Sequence, residues 1–214
     1  MKRIMTALIT CGLASPLAVM AADEIKANVG IVSDYVFRGV SQTDNNPAVQ
    51  GGVDYNHQRG LYAGAWATNV DIPGSDAKAR LDLYGGYKMK LSSGLGFDAG
   101  LIAYSFVRDT HRKFWEVFAG VSLGHISGKV FHDPDNNNTY LQGALNYDIG
   151  SGIKVSLGAG QSFLSRQKDY TDVILGVSKN FAGLDLGLTF TDSSQKPSSD
   201  LNRSILALSA KYVF

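Results

Sequence analysis

The chain has 214 residues, with 20 Lys plus Arg against 19 Asp plus Glu and no change of composition along its length. One near-neutral domain is expected, and a nucleic-acid partner is not. Glycine is abundant (24) and proline scarce (5); beyond residue 22 no apolar run approaches the ~20 residues of a spanning helix, so a membrane could be crossed only by a closed barrel.

Lys2 and Arg3 form a basic start, an apolar stretch runs from Ile4 to Val19 with Pro16 inside it, and Val19-Met20-Ala21 offers a small-residue cleavage site ahead of Asp23-Glu24. This order predicts a signal peptide over 1–22, removed from a mature barrel domain over 23–214. A helical anchor fits less well, because the stretch is short and no stop-transfer charges follow it. The only cysteine, Cys11, reads as part of the signal peptide, since Thr10 is too large to precede a lipidated Cys. The mature chain then has 18 basic and 19 acidic residues, no cysteine and no disulfide.

From residue 24 onward apolar and polar residues alternate, strand after strand, as in Leu81, Leu83, Gly85, Tyr87, Met89 against Arg80, Asp82, Tyr84, Gly86, Lys88. A period of two marks half-apolar strands. Twelve are predicted: 24–38, 48–56, 61–70, 79–91, 95–106, 113–124, 128–132, 140–149, 153–164, 171–180, 184–191 and 203–214, with ends uncertain by ~2–4 residues. In the third, Tyr62, Trp66 and Val70 compete with Leu61, Ala63, Ala65 and Ala67 for the apolar face, and the seventh is short. Connections alternate between short turns, such as Ser92-Ser93-Gly94 and His125-Ile126-Ser127, and longer polar loops, such as Gly39 to Pro47 and Asp192 to Asn202.

The last strand ends on Phe214 with Tyr212 two residues before it. This is the expected closing strand of an outer-membrane barrel, and it resembles the C-terminal signal such proteins present to the barrel-assembly machinery. Short periplasmic turns, long extracellular loops and an even strand count describe an all-β, transmembrane, antiparallel up-and-down barrel. Leu83, Leu101, Val121, Leu145, Val155 and Leu175 should face lipid, with lipopolysaccharide in the outer leaflet. Tyr35, Phe37, Tyr55, Tyr87, Trp115, Tyr147, Phe190 and Tyr212 would form interfacial girdles. The alternative is a soluble sandwich or lipocalin-like barrel, whose apolar face would pack into one dry core.

The run Ser33-Asp34-Tyr35-Val36-Phe37-Arg38-Gly39-Val40-Ser41-Gln42, followed by Asn46-Pro47-Ala48-Val49-Gln50-Gly51 and by Gly64-Ala65-Trp66-Ala67-Thr68-Asn69-Val70-Asp71, resembles the TorF family of porins (Gcw_chp), proteobacterial conserved hypothetical outer-membrane proteins. The resemblance is specific in this N-terminal third and implies an outer-membrane barrel. It does not imply a solute.

Little in the chain points to an enzyme. His125-Ile126-Ser127 has the residue types of a hydrolase but lies in a tight turn. Asp133-Pro134-Asp135-Asn136-Asn137-Asn138 begins like a calcium loop, yet its twelfth position is Ala144 rather than Glu. Neither a catalytic site nor a cofactor or metal site is expected. The polar face would line a lumen with Lys26, Asp34, Arg38, Arg80, Asp82, Lys88, Lys90, Asp98, Glu116, Lys154, Asp172, Asp185 and Lys211. Asp34 and Arg38 would share the face of the first strand ~13 Å apart, with Arg38 near the extracellular mouth against an acidic side chain. Mixed signs predict weak selectivity at most, and glycines of the inward parity suggest an open lumen. The function expected is a narrow passive channel for small polar solutes or ions. The alternative is a non-conducting barrel that acts through its extracellular loops as an adhesin, receptor or envelope-structural protein.

Overall fold

The computed structural model describes residues 23–195 and 204–214. The segment assigned to a signal peptide, Cys11 included, and part of the loop expected from Asp192 to Asn202 lie outside the described residues.

Twelve strands close into one antiparallel barrel. In chain order the strands are β1 (Glu24–Val32), β2 (Val36–Phe37), β3 (Val40–Ser41), β4 (Ala48–Asn56), β5 (Leu61–Asn69), β6 (Ala79–Lys90), β7 (Leu95–Val107), β8 (Phe114–Leu123), β9 (Ile126–Asp133), β10 (Asn138–Gly150), β11 (Ile153–Phe163), β12 (Tyr170–Phe181), β13 (Leu184–Ser193) and β14 (Ser204–Val213). Neighbours in sequence pair as hairpins, and β1 closes the ring by pairing with both β14 and β4. The short pair β2–β3 is a hairpin of its own that does not join the barrel's hydrogen-bonded ladder.

The apolar face points outward. Leu83, Leu101, Val121, Leu145 and Leu175 are all exposed, and Val155 pairs with Tyr147 and Val177, which are exposed too. In β5 the outward residues are Leu61, Ala63 and Ala67, while Trp66 and Thr68 are buried inside. A ring of exposed Leu, Val and Ile around a polar interior reverses a soluble barrel and suits a lipid surround.

Four expectations are corrected here. The first strand was expected to run through residue 38; it leaves the sheet after Val32. Ser33 is still tied to β14 by two hydrogen bonds with Leu208, and then Asp34 turns the chain inward by accepting hydrogen bonds from the hydroxyls of Ser41 and Thr43. The loop expected outside the barrel thus re-enters the lumen. Tyr35 and Phe37 accordingly leave the expected girdle: Tyr35 is buried 5.3 Å from the ring of Trp66, and Phe37 lies 6.0 Å from Tyr104. The short seventh strand also lengthens. Its hairpin turns at Gly124 and His125, so Ile126 and Ser127, expected in the turn, belong to β9.

Candidate functional site

Alternation alone sorts the inner wall, but register decides which inward groups meet. In the half nearer the short turns, four directly opposed pairs carry opposite charge: Lys26 with Asp54, Lys88 with Asp98, Asp148 with Lys154, and Asp185 with Lys211. Opposed charges on neighbouring strands support each other. Lys129 reaches Asp98 across an intervening strand, because the position between them is Gly120 and leaves the path clear. Lys26 also meets Glu24 at 2.8 Å near the rim. Lys90 is exposed at the end of β6.

At several inward glycines an aromatic ring takes the space that the missing side chain leaves. A Cβ on Gly160 would strike the phenol of Tyr140, and one on Gly64 or Gly86 would strike Tyr84 or Tyr62. Each of these tyrosines hydrogen-bonds a carboxylate: Tyr62 to Asp98 at 2.7 Å, Tyr140 to Asp172 at 3.1 Å, and Tyr84 to Asp54. Phe118, Phe131 and Tyr140 form one register row across β8, β9 and β10. Asp54, Lys129 and these rings were absent from the sequence-based set. Their parity was readable, since Val49, Val53 and Tyr55 mark the outward face of β4.

Residues 34–43 fold into the half of the barrel nearer the longer loops. Arg38 donates two hydrogen bonds to Glu116, Nη1 to Oε1 at 2.8 Å and Nη2 to Oε2 at 2.7 Å. Tyr104 donates a third, at 2.9 Å, to the same carboxylate. The guanidinium lies 4.2 Å from the ring centre of Tyr140, 5.2 Å from Phe131 and 4.8 Å from Phe37. Arg80 is held the same way, bidentate to Asp82 at 2.7 and 2.8 Å and between the rings of Phe37 and Tyr104. Fork-shaped pairing to a carboxylate with stacking on rings is what a guanidinium offers and an ammonium does not. Gly39 follows at φ +77°, where a Cβ would lie 2.6 Å from that of Asp172 and 2.8 Å from that of Ser193; only glycine lets the loop approach the far wall so closely. The loop therefore crosses from β1 to β8, β10 and β12. Asp34, Arg80, Asp82, Glu116 and Asp172 are all buried at this level.

At the rim that carries the longer loops, Asp109 accepts a hydrogen bond from the Ser75 hydroxyl at 2.6 Å, and Arg112 lies 3.5 Å away. The Ser75 hydrogen bond, with that of Arg112 and its charge, holds the Asp109 carboxyl below its ordinary value.

The model of a family described as "Bacterial protein of unknown function (Gcw_chp)" matches residues 18–213. The chain belongs to this family. The match extends the N-terminal resemblance over nearly the whole Gcw_chp chain. No curated protein sequence matches it. Solved structures do share its fold. The KdgM porin superposes with a TM-score of 0.63 at 7% identity, over 88% of this chain and 99% of that one. The NanC porin gives 0.56 at 8% identity, over 89% and 98%. An outer membrane channel from Pseudomonas putida F1 gives 0.53 at 14% identity, over 91% and 96%. This Gcw_chp protein is an outer-membrane β-barrel of porin-like architecture, on the agreement of that fold with its apolar exterior.

Proposed function

We propose that the protein is a narrow passive channel for small polar solutes or ions, with residues 33–47 forming its constriction. The observation that carries this reading is the closed barrel whose exterior is apolar and whose interior is lined by charged and hydroxyl side chains. The lining set would be the thirteen residues named from the sequence, extended by Asp54 and Lys129. Most of their charges are matched across strands, so they present no ring of one sign and the current should be weakly selective. The KdgM porin has been solved in complex with disordered oligogalacturonate; the matched charges here support small solutes rather than a polyanion. The surroundings fit the same reading: lipid and lipopolysaccharide against the exterior, and barrel-assembly machinery engaging the last strand through Phe214. Nothing in this role asks for an enzyme.

One observation favours a second reading, a non-conducting barrel that works through its loops: the inserted segment packs the extracellular half. Planar-bilayer recording separates the two. Val32 and Ala48 are directly opposed, so a short hairpin turn can replace residues 33–47 and keep the register of β1 with β4. A channel should show small unitary currents in wild type and larger ones after this replacement. Silence from both proteins would establish the second reading.

A further inference from the structure

We propose that the recess holding Arg38 is a binding site for a planar organic cation of the guanidinium class, and that Arg38 is its built-in occupant. As a station for a permeating solute the site rests on the channel reading; as a binding site it does not.

The recess belongs to the barrel wall, not to the loop. Glu116 and Tyr104 come from β8 and β7, Phe131 and Tyr140 from β9 and β10, and Asp172 from β12. Their backbones are held by the barrel ladder and do not depend on residues 33–47. The wall supplies a carboxylate presenting both oxygens to one fork of N–H donors, and rings that take the flat face of the cation. Asp172 adds a second buried carboxylate beside Gly39. Its Oδ2 accepts from Tyr140, while its Oδ1 has no hydrogen-bond partner among the described residues. At this level of the lumen the described residues place Asp34, Asp82, Glu116, Asp133 and Asp172 against two arginines.

The occupant, by contrast, is exchangeable. Arg38 sits on a loop, in the left-handed region at φ +50°, a conformation that L-residues other than glycine adopt at a cost. Withdrawing it would leave Glu116, 3% exposed, without its cation, and a buried charge that loses its partner is strongly unfavourable. Loop withdrawal is therefore coupled to the arrival of a replacement. A free guanidinium group reproduces the planar donors and the stacking. Sodium reproduces neither, and an ammonium supplies charge and single donors without the planar fork.

The test uses the full mature chain, folded in detergent and in bilayers, with guanidinium chloride as probe and sodium chloride at equal ionic strength as control. Arg38→Ala empties the recess; Arg38→Met keeps most of the side-chain stem as a second variant. Heat-modifiable migration on gels reports a closed barrel. Millimolar guanidinium should raise the thermal midpoint of both variants where sodium does not. Its apparent affinity should be at least ~10-fold weaker in wild type, where Arg38 competes for the recess. Adding Glu116→Gln to Arg38→Ala should abolish the effect. In bilayers, Arg38→Ala should shift the reversal potential toward cations, and guanidinium should block sodium current. Equal responses to guanidinium and sodium overturn the proposal. So does failure of both Arg38 variants to fold even with guanidinium present. Binding without any current overturns the channel reading and leaves the site standing.

Discussion

Leu101 offers a sharp test of the outward face. It is the central residue of β7, six positions from Leu95 and six from Val107. Leu101 and Val107 are both outward and exposed to nearly the same degree, 53% and 56%. They differ only in depth. Six residues at ~3.4 Å each, on a strand tilted by ~40°, separate them by about 15 Å along the barrel axis. Half of the ~25 Å apolar band is ~12 Å. Leu101 thus lies near the bilayer midplane and Val107 at or beyond the interface. Leu101→Arg should cost about 2–4 kcal/mol, and Val107→Arg no more than about 1 kcal/mol. Reversible denaturant unfolding in lipid vesicles reads both values. Equal costs at the two sites, or a cost at Leu101 below that at Val107, would refute the depth assignment and the lipid-facing exterior with it.

Other sites give further checks. Asp82→Ala removes the bidentate carboxylate from buried Arg80 and should destabilise the barrel by about 1–3 kcal/mol in the same unfolding assay, with Asp82→Asn costing less. Gly160→Ala places a methyl into the ring of Tyr140, whereas Gly143→Ala meets nothing within 4 Å; the first should cost about 1–3 kcal/mol by overpacking and the second should be near neutral. The Asp109 carboxyl titrates below its ordinary 3.8. Its contribution is therefore complete at neutral pH and is lost as pH falls through the folded value, below about 4. Amide protection relative to the intrinsic exchange rate at residues 107–113 should hold down to that pH and fall beneath it; a fall already near neutrality would show that the Ser75 contact does not hold the loop.

The barrel itself was legible in the chain because a strand advertises its two faces locally. Leu81, Leu83, Tyr87 and Met89 alternate with Arg80, Asp82 and Lys88, and no partner strand needs to be known to sort them. Short turns and longer loops then order the strands, since each pairs with its neighbour in sequence. The direction of the faces followed from the same pattern, because an even ring of simple apolar residues around charges has lipid as its natural surround. Register was less accessible. The meeting of Lys129 with Asp98 depends on Gly120 lying between them, which only the paired strands reveal.

The path of residues 33–47 was decided by tertiary structure alone. Locally, Ser33 to Arg38 reads as a continuing strand, with Tyr35 and Phe37 as girdle aromatics. What turns it inward is a set of contacts with residues far along the chain. Arg38 finds Glu116 78 positions away, and Gly39 meets Asp172 and Ser193. Guanidinium pairing and ring stacking carry no periodic signature, so no local pattern announces them. They become readable only once the barrel has brought β8, β9, β10 and β12 around a common interior narrow enough for one loop to span.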